Sequence, residues 1–496
     1  MTDTDQHAAA TDPALLDALR EHVHGALPAT IADLSALVRL PSVSWSAFDP
    51  ANVRASAETV ADLARSTGVF ADGAVRIVRS AIEGDTPQDT DTSQDTDTSQ
   101  DTDTSQDTDV ELGQPAVLAV RPARNGKPTV MLYAHHDVQP QGDEALWETP
   151  PFEPTLRGDR LYGRGASDDK AGVMTHIASL RALHAQFGDD LDLGVVLFVE
   201  GEEEFGSRSF RTFLREQKEH LAADVIVVAD SDNWSAEVPS ITVSLRGNVT
   251  FTLTLTTLEH ASHSGMFGGA APDAMIPMVR LLASLHDDDG SVAVEGLTSY
   301  DADVPERSDD ELAADAALLP GVRPVGTGPV LSRMWFQPSI TVTGMDVPSV
   351  ANASNTLLPT VSARISVRVA PGQPAVEARD AVERHLRAHV PFGAHLELSE
   401  PDAGDGFLVD TAGWAVQDAR VAMREGWGAE AVEQGIGGSI PFVSDLAAEF
   451  PEAQILVTGV EDPDTRAHSP NESQHLGVLH RAIASETILL ARLATR

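Results

Sequence analysis

Thr129-Val130-Met131-Leu132-Tyr133-Ala134-His135-His136-Asp137 reads as an apolar strand that runs directly into three polar side chains able to bind metal. A short, almost continuous apolar run suits a strand buried on both faces, as in a parallel sheet. The pattern recurs along the chain. Residues 194–199 run into Glu200-Gly201-Glu202-Glu203-Glu204, and 225–229 into Asp230-Ser231-Asp232. Residues 454–457 lead through a turn to His468, and 116–120 form one more apolar run. Between them, 171–187 and 207–221 have helical spacing, and 13–40 reads as two helical stretches separated near Pro28. Alternating β and α units predict an α/β fold with a mainly parallel sheet covered on both faces.

Between about residues 246 and 401 the pattern changes. Strand-like runs at 248–256, 339–343, 361–369 and 394–398 alternate with helical stretches at 274–285 and 375–390. The order β-α-β-β-α-β is the split βαβ arrangement of a small α+β domain. A catalytic domain of residues 1–245 and 402–496, with a smaller domain of 246–401 inserted in it, is therefore expected. A chain of 496 residues is also long for a single core.

Composition narrows the chemistry. The chain has no cysteine, which excludes disulfides and thiol catalysis and leaves His, Asp and Glu as metal ligands. Formal charge is −42, and only Lys127, Lys170 and Lys218 are lysines. Nucleic acid and anionic membranes would be repelled. The polar, acidic start and the lack of an apolar span point to a cytoplasmic protein. Within an acidic stretch at 84–112, residues 88–109 read QDTDTS three times and then QDTD. With no apolar residue to offset the entropy of ordering, this segment is expected to be a disordered surface loop. It lacks the glycine turn and the Glu of an EF-hand loop.

In open parallel sheets, ligands bind at the carboxyl ends of the strands. His135-His136-Asp137, the Glu202–Glu204 run, Asp230 and Asp232, and His468 all fall there. A Gly-rich loop, Gly163-Arg164-Gly165-Ala166-Ser167-Asp168-Asp169-Lys170, leads into a helix start. Each cluster alone has a plain explanation: a lone His is usually a core or surface residue, Glu runs are usually solvated, and adjacent Asp residues cap helices. Five clusters at equivalent topological positions are harder to dismiss. Two zinc ions roughly 3.5–4 Å apart can together activate water and polarise a carbonyl. They need His and carboxylate ligands, a carboxylate left free as base, and acids that orient the ligating imidazoles.

At these residues the sequence resembles the superfamily of acetylornithine deacetylase, succinyl-diaminopimelate desuccinylase, carnosinase and glutamate carboxypeptidase, and within it the carnosinase-like dipeptidase branch. The resemblance runs from Leu37-Val38-Arg39-Leu40-Pro41-Ser42-Val43-Ser44 almost to the C-terminus. Its most specific motifs are Tyr133 to Pro140, Leu161 to Lys170 and Gly201 to Ser207. It implies two zinc ions per subunit, with manganese or cobalt as substitutes. His135, Asp168 and Asp230 would hold one ion, and Asp168, Glu204 and His468 the other. Asp137 would orient His135, and Glu203 would be the general base. The peptide between Asp168 and Asp169 would be cis. Asp232 competes with Asp230, and Glu202 with Glu203; position at the strand end and the following x-Gly-Ser favour Asp230 and Glu203.

The resemblance also extends to the inserted segment. His263-Ser264-Gly265 matches a segment whose histidine stabilises the oxyanion in the partner subunit, which implies a homodimer formed through the small domain. Arg368 matches an arginine that binds the substrate carboxylate, a task suited to its planar fork. Ser439, in Gly437-Gly438-Ser439-Ile440-Pro441, matches a substrate-cradling loop; Gly435-Ile436 stands where an Arg-Glu pair is common. The implied activity is metal-dependent hydrolysis of the amide bond of a dipeptide or small peptide-like substrate. N-acyl-amino-acid deacylation by the same centre is the alternative, and a non-catalytic binding protein on this fold is a third reading.

Overall fold

The strand Thr129–His135 lies inside a twisted sheet, with neighbours on both sides running parallel to it. In this computed structural model, which describes residues 10–82, 110–438 and 441–496, the chain divides into two compact units. The QDTDTS repeat and Ser439 lie outside the described residues. The first unit comprises Met1–Ile241, Asp410–Val432 and Asp445–Arg496. Its strands follow the order Val75–Val78, Ala116–Arg121, Gly194–Glu200, Thr129–His135, Val225–Asp232, Gln454–Glu461. The last four are mutually parallel, and the first two join antiparallel at one edge. All seven residues of Gly194–Glu200 and six of Thr129–His135 are buried, as their apolar runs require.

Helices Lys170–Phe187, Trp414–Trp427 and Leu476–Thr495 pack on the strands, as do Pro50–Ser66 and Phe210–Leu221. Phe213 stacks on Phe198 with ring centroids 4.6 Å apart, fastening the Phe210 helix to its strand. One expectation fails. Residues 13–40 do not form two helices; Pro13–Val38 is a single helix with Pro28 inside it. A proline there removes one backbone hydrogen bond, at a cost of ~3 kcal/mol. Packing overrides that cost: Leu19, Val23, Leu34, Leu37 and Val38 are all buried, and the helix lies against Lys170–Phe187 and Leu476–Thr495.

The second unit comprises Thr242–Val409 and Glu433–Ser444. Its four-stranded antiparallel sheet follows the order Ser339–Asp346, Thr360–Val369, Gly247–Thr256, His395–Gly404. In chain order this is 2-3-1-4, the split βαβ topology expected from the pattern. Gly247–Thr256 alternates strictly between buried and half-buried residues, so one face carries Val249, Phe251, Leu253 and Leu255 into the core. Met278 and Leu281 of helix Met275–Ala283, and Val382 and Leu386 of helix Ala375–His389, complete that core. No helix among the described residues is long and apolar enough to cross a membrane.

Candidate metal centre

Local structure brings the polar strand ends of the first unit together. His135 is the last residue of its strand, and its backbone N–H donates to Asp169 Oδ2 at 3.1 Å. The other oxygen of Asp169 caps the Lys170 helix by accepting from Gly172 N at 3.1 Å. The helix start is thereby tied to the strand end. Gly172 permits this approach, because a Cβ there would lie 2.2 Å from the Ala229 carbonyl oxygen. The peptide between Asp168 and Asp169 is cis. Asp230 lies on Val225–Asp232, and Glu203 and Glu204 open a short 3-10 turn closed by Gly206 in the left-handed region. His468 also has a left-handed backbone, with φ +59°, uncommon for a non-glycine residue and frequent at functional sites.

Two triads result, His135, Asp168 and Asp230 in one and Asp168, Glu204 and His468 in the other, each with ligand atoms within 4.8 Å of one another. Asp168 belongs to both. Its Oδ1 lies 3.1 Å from His135 Nε2 and its Oδ2 lies 2.9 Å from His468 Nε2. Asp230 Oδ1 is 3.7 Å from His135 Nε2, and Glu204 Oε2 is 3.2 Å from His468 Nε2. Glu203 Oε2 stands 4.0 Å from His135 Nε2, beside the first triad. Gln139 Nε2 donates to Glu204 Oε2 at 2.7 Å. On the far side of the ring, His135 Nδ1 is hydrogen-bonded to the Asp137 backbone carbonyl at 3.2 Å and lies 3.4 Å from Asp137 Oδ1.

The donor set fits divalent cations on two grounds. His135 Nε2 is buried and points at the carboxylates of its triad, yet makes no hydrogen bond of acceptable geometry with them. The electrostatics also show a deficit of positive charge. Burial drives Glu203 well above the usual carboxylate range, and neighbouring Asp230 and Glu204 add to it. Burial, reinforced by Asp168, raises Glu204 to about 7. His468 is pushed up to about 10 by its hydrogen bonds to Asp168 and Glu204. Burial opposes charge on His135, but Asp137, Asp168 and Asp230 outweigh it and raise the imidazole. Asp168 is likewise disfavoured by burial but held low by the two histidines. A dication in each triad would relieve this conflict between acids and imidazoles.

The structure therefore brings His135, Asp137, Asp168, Asp230, Glu203, Glu204 and His468 together. Asp232 does not join either triad; it interacts with Glu461, and burial lifts it to about 6. Glu202 turns away as well. It is buried, accepts from Ser209 N at 2.8 Å and Gln114 N at 3.2 Å, and so anchors the loop rather than lining the centre. His263 and Arg368 lie in the second unit. His263 is exposed, and its Nδ1 accepts from Gly265 N at 3.0 Å. Arg368 is half-buried, opposite Ser339 on one side and Asn248 on the other.

A charged residue in each unit escaped the sequence reading. Glu472 accepts from Ser167 N at 3.1 Å and Asp168 N at 3.2 Å, and it pairs with buried Arg164 at 2.5 Å. Its own surroundings carry no motif; only Arg164, inside the Gly-rich loop, hinted that a buried acid was required. Arg246, whose Nε donates to the Gly437 carbonyl at 2.9 Å, is lowered to about 10 by burial and by the charge of Arg368. Its Leu245-Arg246-Gly247 setting gives no sign of this in sequence.

The chain is 35% identical over 382 residues to the cysteinylglycine-S-conjugate dipeptidase of Corynebacterium striatum, covering 75% of this chain and 83% of that protein. It is 28% identical over 386 residues to the human beta-Ala-His dipeptidase, covering 72% and 73%. Its fold matches the dipeptidase Dug1p of Saccharomyces cerevisiae with a TM-score of 0.73 at 20% identity, over 97% of this chain and 99% of that one. Human carnosine dipeptidase 1 matches with a TM-score of 0.72 at 22% identity, over 98% and 100%. The model of peptidase family M20/M25/M40 matches residues 131–492, a span that contains every residue of both triads. The chain thus belongs to the metallopeptidases of family M20/M25/M40.

Proposed function

We propose that this protein is a metallodipeptidase that hydrolyses the amide bond of dipeptides or similar small substrates. The observation that carries the reading is the pair of triads sharing Asp168. His135, Asp168 and Asp230 would hold one divalent ion, and Asp168, Glu204 and His468 the second. Zinc suits these N and O donors, with manganese or cobalt as substitutes. When bound, the ions supply Lewis-acid polarisation of the scissile carbonyl and acidify water.

Glu203 belongs to neither triad, and its carboxylate stands on the Nε2 side of His135, where the first ion would be held. It takes the proton of the attacking water and passes it to the departing amine, and nearby positive charge would bring its raised pKa toward the working pH. Asp137 keeps His135 Nε2 aimed inward, its backbone carbonyl hydrogen-bonded to Nδ1 and its carboxylate 3.4 Å away. The family resemblance supports three further roles. His263, lent by a second copy of the chain, stabilises the oxyanion; Arg368 and Ser439 hold the substrate carboxylate. That reading makes the protein a homodimer joined through residues 246–401. A cytoplasmic location is part of this reading, and a net charge of −42 favours small-molecule substrates over nucleic acid or anionic membranes.

Metal analysis of the purified protein, beside assays on free dipeptides, C-amidated dipeptides and N-acetyl amino acids, tests the reading. Two divalent ions per chain and preference for free dipeptides are expected; preference for acetyl substrates sinks the dipeptidase assignment. Glu203→Gln should lose at least about 10²-fold in kcat with its metal retained. Mixing Glu203→Gln with His263→Ala chains should restore activity if the histidine is shared.

A further inference from the structure

We propose that Ser44 is a positioning residue for the metal centre, acting through Asp137 on both triads at once. The inference rests on the metal-centre reading above. Ser44 closes the segment Leu37 to Ser44, which resembles the family yet carries no assigned role. Its side chain is buried, and its hydroxyl donates to Asp137 Oδ2 at 2.7 Å.

Asp137 is itself wholly buried and has several claims on its carboxylate. Oδ1 accepts from the Glu203 backbone N–H at 3.1 Å and lies 3.4 Å from His135 Nδ1. Oδ2 accepts from the Glu204 N–H at 3.2 Å as well as from Ser44. Three hydrogen bonds thus fill most of the roughly four lone-pair directions of the carboxylate, and the His135 ring, hydrogen-bonded to the Asp137 carbonyl at 3.2 Å, rests against the fourth. One of these four contacts orients a ligand of the first triad. Another fixes the backbone of a ligand of the second, and a third fixes the base between them.

Ser44 makes the shortest of the four contacts, and it is firmly seated. Its carbonyl accepts from Gln114 Nε2 at 3.2 Å. The adjoining Val43 pairs with Val138 as a parallel bridge, and the Ser42 hydroxyl donates to the His136 carbonyl at 2.7 Å. At the other end of the segment, Leu37 and Leu40 carbonyls accept from Lys170 Nζ at 3.0 and 2.8 Å. The segment therefore links the loop after Asp168 to the loop of Asp137. Without the hydroxyl, a buried carboxylate oxygen loses a partner, and the carboxylate can turn to recover one. Such a turn moves the His135 ring and the Glu203–Glu204 backbone together.

A double-mutant cycle on the full-length protein tests this, with metal affinity read by competition against a chromophoric chelator and thermal midpoints taken on metal-free samples. Ser44→Ala should bind zinc about tenfold more weakly at both sites and lose about tenfold in kcat with little change in KM. Its metal-free midpoint should stay near that of the parent. Ser44→Thr, which keeps the hydroxyl, should stay near the parent in affinity. In an Asp137→Asn background, Ser44→Ala should change affinity no further. Parent-like affinity in Ser44→Ala, or effects that simply add to those of Asp137→Asn, would overturn the proposal. So would a loss of affinity shared equally by Ser44→Thr. A His135→Ala control separates the two ideas: if it too binds zinc like the parent, the metal-centre reading fails instead.

Discussion

The backbone N–H of Glu203 donates to Asp137 Oδ1 at 3.1 Å, joining the proposed base to the acid that orients His135. Base and ligand thus share one buried support. In Asp137→Asn, an NH2 group replaces an oxygen that must accept from N–H donors, so at least one donor loses its partner. Activity should fall by about 10- to 100-fold in kcat/KM. Steady-state kinetics with metal content measured in parallel would check this, and a loss below about twofold would contradict it.

Metal uptake should release protons. Without a cation, His468 is held protonated up to about 10 and Glu204 up to about 7, whereas ligation needs a neutral imidazole and an ionised carboxylate. Binding at the second triad near pH 7 must therefore displace at least the His468 proton, and the apparent affinity of that site should rise with pH by about one log unit per unit below pH 10. The slope should steepen below pH 7, where Glu204 also carries a proton. Calorimetry in buffers of different protonation enthalpy measures the number released; a value of zero would contradict the arrangement.

Stripping the metal should also lower the thermal midpoint. A ligand bound only by the folded state adds about 2.7 kcal/mol when present at a hundred times its Kd. Chelator-treated protein should melt earlier and recover on adding zinc, in a scanning-calorimetry titration. An unchanged midpoint would mean that the triads do not hold the ion.

Gly172→Ala should damage both stability and the centre. Its Cβ would lie 2.2 Å from the carbonyl oxygen of Ala229, which precedes Asp230, and 2.2 Å from Asp169 Oδ1, whose partner oxygen holds the His135 N–H. Forcing a methyl group into that space should cost about 1–3 kcal/mol, read from the urea midpoint, with weaker metal binding. Wild-type stability would show that the Lys170 helix can shift freely.

Stability should also depend on a buried pair away from the centre. His176 Nδ1 lies 2.9 Å from Glu486 Oε2, and Nε2 lies 2.9 Å from the Tyr133 carbonyl. Burial opposes protonation of His176, but Glu486 outweighs it and raises the imidazole above 6.5. Because the folded value exceeds the unfolded one, the contribution is fully present below about pH 6.5 and is lost as pH climbs through the raised value. Glu486→Gln should cost about 3 kcal/mol at pH 6 and progressively less at higher pH. Urea denaturation across pH 6–10 would show the convergence; parallel curves would contradict it.

Much of this protein could be read without its structure, for local reasons. The central strands stand out because residues buried on both faces must be apolar in succession, and the chemistry begins where each run stops. The second unit stands out because half-burial imposes alternation, as in Gly247–Thr256. Motif spacing selected Asp230 over Asp232 and Glu203 over Glu202. The structure puts Asp230 in a triad, seats Asp232 with Glu461, and turns Glu202 to Ser209.

What the chain alone could not reveal depends on distant partners. Pro28 reads as a helix break, and only packing against helices far along the chain keeps Pro13–Val38 continuous. Ser44 and Asp137 are 93 residues apart, and Glu472 and Asp168 are 304 apart. Neither serine nor glutamate carries a local mark of its role, because hydrogen bonds of that span arise only when the loops are folded together. Periodicity and spacing report what each segment buries and where its strand ends. Tertiary structure alone decides which buried oxygen meets which donor, since that depends on the approach of segments whose separation along the chain leaves no pattern in sequence.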